Sequence, residues 1–153
     1  MESDTLQVKV QLKILKPMHQ VFEAIVNPTE MSKYFISSGS DRLNTGKTVT
    51  WRWDDVGVQA PVKVQQVVQD SSISLLWSTA GVESLVTIEL VPADEASTIV
   101  KINESSWPPD AEGIALCLGQ TQGWTHMLCC LKAYLEYGIN LRTGGIVRSA
   151  DKI

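Results

Sequence analysis

Hydrophobic and polar residues alternate along the first part of the chain. From Leu6 to Ile14 every second residue is hydrophobic, and the residues between them are Gln or Lys. This period of two is typical of a strand with one buried face. Similar segments recur at Thr48 to Trp53, Val58 to Val68, Ile73 to Trp77, Val82 to Val91 and Thr98 to Ser105. Turn-forming residues separate them, so we predict six strands, the last five as an antiparallel meander.

Two short helices are predicted between the first two strands. Pro17 breaks the extended run and suits the first turn of a helix, and apolar residues at helical spacing continue to Val26. Pro28 ends this helix and can begin another, over Thr29 to Tyr34. The following segment, Ser37 to Gly46, is polar and rich in turn residues, so it is expected to be a loop.

A long helix is predicted at the end of the chain, because the hydrophobic period changes to 3.6 after Trp107. Asp110 is its expected N-cap, and it should end near Gly138 or the Gly144–Gly145 pair. About 28 residues would span about 42 Å, enough to cross a sheet. The inner stripe comprises Cys117, Trp124, Leu128, Leu131 and Leu135. A kink or break is expected in the first half, at Gly113, Gly119 and Gly123.

This order of elements predicts an α+β fold. A curved six-stranded antiparallel sheet would be covered on its concave face by the long C-terminal helix. A straight helix laid over a bent sheet leaves space that side chains rarely fill, so an internal apolar cavity is expected. One domain would comprise residues 1–153, with an ordered core of about 6–142.

Several segments, taken in order, resemble one known family. They are "PMHQVFEAIVNP" from Pro17, Lys33-Tyr34-Phe35, "WRW" from Trp51, the strand ending at Trp77, and "GWTHMLCCLKAYLEYGINLR" from Gly123. These are similar to stand-alone bacterial relatives of the C-terminal domain of the heat-shock-protein-ninety ATPase activator, in the START-like (SRPBCC) superfamily. The resemblance implies a helix-grip fold, shared with the birch pollen allergen, polyketide cyclases and lipid-transfer domains. Most of these proteins hold hydrophobic ligands between sheet and helix.

Composition and charge narrow the classes of partner. The 153 residues are 44% hydrophobic and 20% charged, as in ordinary globular domains. A net charge of -4 argues against nucleic-acid binding. The acidic start and the lack of a long apolar run favour a cytoplasmic protein without membrane insertion. Three cysteines, two of them adjacent, argue against a disulfide framework. A monomer or a homodimer is compatible with these features.

Five tryptophans are the most informative side chains. Trp51 and Trp53 share a strand face, Trp77 ends a central strand, and Trp124 lies on the inner stripe of the long helix. They either fill a wide core or line a pocket for a small molecule. The predicted ligand-binding set is Tyr34, Phe35, Trp51, Trp53, Trp77, Val100, Ile102, Glu104, Cys117, Trp124, Met127, Leu128 and Leu131.

Glu104 is the candidate catalytic residue, because it shares a strand face with Val100 and Ile102. A buried carboxylate must be paired, hydrogen-bonded or neutralised. Arg52 is one possible partner, and a position at an open rim is another explanation. The catalytic interpretation is a cyclase- or hydrolase-type enzyme that uses Glu104 with a hydroxyl such as that of Tyr34.

Metal and cofactor sites are not expected. His126 and Cys130, four residues apart on the long helix, would supply half of a zinc site, which needs three or four ligands. Phosphate- and dinucleotide-binding motifs are absent from the sequence. The leading hypothesis is a non-catalytic module that binds a small apolar molecule, lipids included. The alternatives are the Glu104 enzyme and a co-chaperone-like domain that binds a protein partner.

Overall fold

The computed structural model describes residues 4–79 and 81–147. These residues form a curved antiparallel sheet with three helices, as a helix-grip fold requires. The strands are β1 (Leu6–Ile14), β2 (Ser38–Gly39), β3 (Thr48–Trp53), β4 (Val58–Val68), β5 (Ser72–Thr79), β6 (Val82–Asp94) and β7 (Ser97–Trp107). The helices are α1 (Met18–Val26), α2 (Pro28–Met31) and α3 (Ala111–Tyr137).

The sheet has seven strands, in the order β1-β7-β6-β5-β4-β3-β2. The predicted meander from β3 to β7 is confirmed, and β1 pairs with β7 to form one edge of the sheet. The predicted number of six is wrong by one strand. Ser38 and Gly39 pair with Arg52 and Trp51 at the edge of β3. Two polar residues inside a turn-rich segment are too few to show a strand period, so the sequence pattern misses β2.

The short helices position Tyr34 and Phe35. The Oδ1 of Asn27 accepts a hydrogen bond from the backbone N–H of Thr29 at 3.0 Å and caps α2. The helix ends at Met31, earlier than the predicted Tyr34. The chain then turns, and both aromatic side chains enter the core. Because α2 ends at Met31, the consecutive residues Tyr34 and Phe35 both face the interior.

Helix α3 begins and ends as predicted. The Oδ1 of Asp110 accepts from the backbone N–H of Gly113 at 2.8 Å, and Gly138 ends the helix with φ 66°. The helix is continuous, so the predicted break at its glycines does not occur. Gly113 instead allows a close approach, because a Cβ there would lie 1.8 Å from the carbonyl oxygen of Pro108.

The core lies between the concave face of the sheet and the helices. Helix α3 packs against β1 and β7, where Met127, Leu128 and Leu131 meet a cluster that includes Val8 and Val100. Most side chains in the first half of α3 are exposed or half-buried. Within residues 4–79 and 81–147, no helix combines the length and hydropathy needed to span a bilayer.

Candidate functional site

Aromatic side chains from four parts of the fold pack together between the sheet and α3. We call Phe35, Trp51, Trp53, Trp77 and Trp124 the aromatic cluster. Phe35 follows α2, the tryptophans at 51 and 53 share the inner face of β3, Trp77 lies on β5, and Trp124 lies on α3. Their convergence confirms the inward orientation predicted for the tryptophans.

The rings of the aromatic cluster are in direct contact. The centroids of Trp77 and Trp124 are 5.3 Å apart, and those of Phe35 and Trp53 are 5.5 Å apart. Trp51 meets Trp53 and Trp77 edge to face, at 6.1 and 6.0 Å. Such pairs contribute about 1 kcal/mol each beyond the area that they bury. The cluster is therefore a rigid apolar wall that joins the helix to the sheet.

Glu104 lies behind this wall and is 0% exposed. Its Oε1 accepts hydrogen bonds from Trp124 Nε1 at 2.7 Å and from Gln120 Nε2 at 2.9 Å. Its Oε2 accepts from Trp77 Nε1 at 2.8 Å and from Ser84 Oγ at 2.5 Å. Each oxygen therefore has two donors, and three of the four are N–H groups that can only donate. The carboxylate thus fixes two members of the aromatic cluster by their ring nitrogens.

Strand register and helical spacing explain how these donors converge. Glu104 on β7 is paired with Val86 on β6, and Ser84 lies two residues before Val86 on the same face. Ser84 is also paired with Trp77 on β5. The remaining donors, four residues apart on α3, lie on one side of the helix. Neighbouring strands and one helical turn therefore supply the whole set.

The predicted partner Arg52 does not bind Glu104. Arg52 is exposed, and its Nε lies 3.7 Å from an oxygen of Asp54. Because β3 is separated from β7 by three strands in the sheet order, the two side chains are far apart in the sheet. The carboxylate is satisfied by neutral donors instead.

A cleft of about 920 Å³ lies over the aromatic cluster. Its walls include Phe35, Trp53, Trp77 and Trp124 from the cluster. Gly119 and Gly123 of α3 also line the cleft, and an added Cβ at either would meet no atom within 4 Å. Exposed apolar side chains form the rim, namely Val56, Val58, Leu118 and Val147.

The structure brings part of the predicted ligand-binding set to this cleft. Four predicted residues line it, namely Phe35, Trp53, Trp77 and Trp124. The remaining apolar residues of the set belong to the surrounding core, namely Tyr34, Trp51, Val100, Ile102, Cys117, Met127, Leu128 and Leu131. Glu104 itself does not line the cleft, but its hydrogen-bond donors Trp77, Gln120 and Trp124 do.

Gln120, Ser84 and Arg142 are site residues that the sequence analysis missed. Gln120 precedes Trp124 by one helical turn, and Ser84 continues the inward alternation of β6, so both left a signal in the pattern. Arg142 has no periodic signal, because it follows α3 in an irregular segment. Its Nε donates to Asp55 Oδ2 at 2.9 Å, and its guanidinium lies 5.9 Å from the centre of the Phe35 ring. These contacts hold the C-terminal segment against the cleft.

Tyr34 belongs to a separate contact between α2 and α3. Its hydroxyl donates to the carbonyl oxygen of Ala24 at 2.8 Å, and its ring stacks on Tyr134 at 5.7 Å. Burial raises the pKa of Tyr34 well above its usual value. The hydroxyl of Tyr134 donates to a carboxylate oxygen of Glu30. The predicted pairing of the Tyr34 hydroxyl with Glu104 is not among these contacts.

Alkaline pH should weaken the fold through Tyr134. Burial, with the Glu30 carboxylate as acceptor, raises the pKa of Tyr134 from 10.0 to about 12. Because this pKa is higher in the folded state, the protonated hydroxyl stabilises the protein fully below pH 10. This contribution is lost as the pH rises to about 12. We therefore expect the free energy of unfolding of Tyr134→Phe to fall less steeply across this window. Urea titrations at several pH values would measure the slope.

The matched control is Tyr137→Phe, at an exposed position of the same helix. It should follow the wild-type slope. Equal slopes for wild type and Tyr134→Phe would contradict the expectation.

His126 and Cys130 are adjacent in space as well as in helical spacing. The Sγ of Cys130 lies 3.5 Å from Nε2 of His126, and burial raises the pKa of the Cys130 thiol to about 11. In the described part of the chain, no group of three or more His, Cys, Asp or Glu side chains could hold a metal ion. The pair is therefore a local contact on α3.

Comparison with known proteins gives one family match. The family model described as Activator of Hsp90 ATPase homolog 1-like protein matches residues 16–136. The match spans the region from the end of β1 almost to the end of α3. A comparison with curated proteins gives no match.

Solved structures share the fold. The protein SSP2350 from Staphylococcus saprophyticus has a TM-score of 0.78 and 28% identity, over 90% of this chain and 96% of its own. DynU16, of the dynemicin biosynthetic locus, has a TM-score of 0.76 and 24% identity, over 86% of this chain and 48% of its own. The Aha1 dimer from Colwellia psychrerythraea has a TM-score of 0.74 and 18% identity, over 87% of this chain and 98% of its own.

Proposed function

Since the chain belongs to the Activator of Hsp90 ATPase homolog 1-like family, with its START-like helix-grip fold, we propose that it binds a small, largely apolar molecule in the cleft over the aromatic cluster. The observation that carries this proposal is the cleft of about 920 Å³, whose lining includes the rings of Phe35, Trp53, Trp77 and Trp124. Small-molecule sites are commonly concave, mostly apolar and already formed, with volumes of about 300–1,000 Å³. The cleft has these properties.

The rigidity of the wall supports binding. Trp124 is 3% exposed, and its ring is fixed by Trp77, by Phe35 and by the hydrogen bond to Glu104. Because packing and this hydrogen bond already fix the ring, a ligand would not have to order it. Affinity then depends on the apolar area that the ligand buries.

The hydrogen bonds of Glu104 favour binding over catalysis. A general base must reach a proton of the substrate, and both oxygens of Glu104 already accept from protein donors. The Tyr34 hydroxyl, its proposed catalytic companion, donates to a backbone carbonyl. While these donors and the Ala24 carbonyl are in place, neither group presents a free proton or lone pair to the cleft, as the enzyme hypothesis requires.

Filling the cleft from α3 should abolish ligand binding. Gly123 lines the cleft and has open space around its Cα, so Gly123→Leu places an isobutyl group where the ligand would lie. We expect the affinity for an apolar ligand to fall at least about tenfold, while the fold is retained. Tryptophan fluorescence, titrated with fatty acids, flavonoids and sterols and checked by calorimetry, would measure binding.

The control for added bulk is Ala115→Leu. Ala115 is exposed on the same helix and does not line the cleft. This variant should bind as the wild type does. The proposal fails if no compound class binds the wild type, or if Gly123→Leu binds with unchanged affinity.

A further inference from the structure

Gln120 separates the buried carboxylate from the cleft. It lines the cleft, is half-buried, and donates to Glu104 Oε1 at 2.9 Å. The side-chain amide of Gln120 therefore lies between the cleft and the buried acceptor oxygen of Glu104.

Gln120 is the donor that is easiest to displace. Ser84 is 2% exposed and does not line the cleft. Trp77 and Trp124 line it, but their rings are packed against each other and against other members of the aromatic cluster. Gln120 has a flexible side chain with three rotatable bonds and is not part of the ring packing. Its amide can turn to solvent and exchange its protein partner for water.

The hydrogen-bond donors that surround Glu104 are neutral groups. In the part of the chain that the structure describes, the hydrogen bonds to Glu104 come from indole, hydroxyl and amide groups, and none comes from Lys, Arg or His. Arg142, which lines the cleft, binds Asp55. A ligand hydroxyl or amino group would thus meet an acceptor that carries no cationic partner.

We propose that Gln120 is a displaceable plug and that the cleft selects apolar molecules bearing a hydrogen-bond donor. The hydroxyl or amino group of the ligand replaces the Gln120 amide at Glu104 Oε1, and the apolar body lies on the aromatic cluster. This inference rests on the proposed function and specifies the class of ligand.

The exchange accounts for the selectivity. Each bond that Gln120 gives up is replaced by one from the ligand, so the carboxylate keeps two donors on Oε1. A ligand whose hydroxyl is methylated brings only an acceptor, and two acceptors repel each other at this position. Such a ligand would leave Gln120 in place and would be held by apolar contact alone.

The test compares β-naphthol with its methyl ether, which share one ring system and differ in the donor. Calorimetric titration of the wild type should show β-naphthol binding about tenfold more tightly than the ether. In Gln120→Ala no amide competes for Glu104, so this ratio should rise by about threefold or more. Gln66→Ala, at an exposed position of β4 that does not line the cleft, should keep the wild-type ratio. β-Naphthylamine should follow β-naphthol.

The outcomes separate this inference from the function on which it rests. If both naphthalenes bind the wild type equally, the cleft binds apolar molecules but the donor selection is wrong. If the preference for β-naphthol over the ether disappears in Gln120→Ala, the proposed role of Gln120 is also wrong, because that variant retains Glu104 as the acceptor. If neither compound binds, the proposed function fails at this site, and the inference fails with it.

Discussion

Replacing Glu104 by Gln should lower the free energy of unfolding by about 3 kcal/mol. Glutamine has nearly the same shape, but its amide nitrogen is a donor where Glu104 has an acceptor. Two of the four donors around the side chain would then face an N–H₂ group, and one of the two is an indole N–H, which can only donate. Urea unfolding monitored by circular dichroism would measure the loss.

A surface carboxylate one strand away provides the control. Glu83 lies on β6 next to Ser84 and pairs with Lys63 at 3.3 Å, with both side chains more than half exposed. The variant Glu83→Gln should change the free energy of unfolding by less than about 0.5 kcal/mol, since exposed ion pairs contribute little. A similarly small change for Glu104→Gln would mean that the buried carboxylate does not hold the aromatic cluster in place.

Replacing Gly113 by Ala should destabilise the protein by about 3 kcal/mol. The added methyl group would lie 1.8 Å from the carbonyl oxygen of Pro108 and 2.9 Å from its carbonyl carbon. These are backbone atoms, so the start of α3 or the segment before it must move. Movement would also disturb the bond from the Gly113 N–H to Asp110 that caps the helix.

The same substitution elsewhere in α3 should have the opposite sign. At Gly119 and Gly123 an added methyl group meets no atom within 4 Å. Alanine at either position should therefore stabilise the helix by about 1 kcal/mol, the difference in helix propensity. Thermal and urea unfolding of the three variants would show the reversal. Equal effects at all three positions would refute the close approach at Gly113.

The fold could be predicted because its determinants are local. Alternation from Thr48 to Trp53 placed two tryptophans on one strand face, and Asp110 and Gly138 marked the ends of α3 within the sequence. The two-residue strand β2 escaped prediction because it is held by pairing with β3. The predicted break in α3 is wrong, because it was based on helix propensity alone. Propensity does not show what lies beside each glycine. Gly113 has the Pro108 backbone beside it, and Gly123 has an open cleft.

The site could be predicted only in part. The inward face of β7 indicated that Glu104 is buried, and helical spacing placed Trp124 opposite the sheet. Neither pattern specified which donors bind the carboxylate, and the proposed partner Arg52 lies elsewhere. The donors Trp77, Ser84 and Gln120 come from two strands and a helix, at separations of 16 to 27 residues from Glu104. Sequence spacing carries little information about contacts at such separations.

By itself, the sequence determined the longer strands and the long helix, because the periods of two and 3.6 follow from backbone geometry at neighbouring residues. Tertiary structure alone decided that a carboxylate is satisfied by two indoles, a hydroxyl and an amide, and that a cleft opens beside them. The physical reason is that these contacts depend on strand register and on the position of α3 over the sheet, which are set by the packing of the whole core.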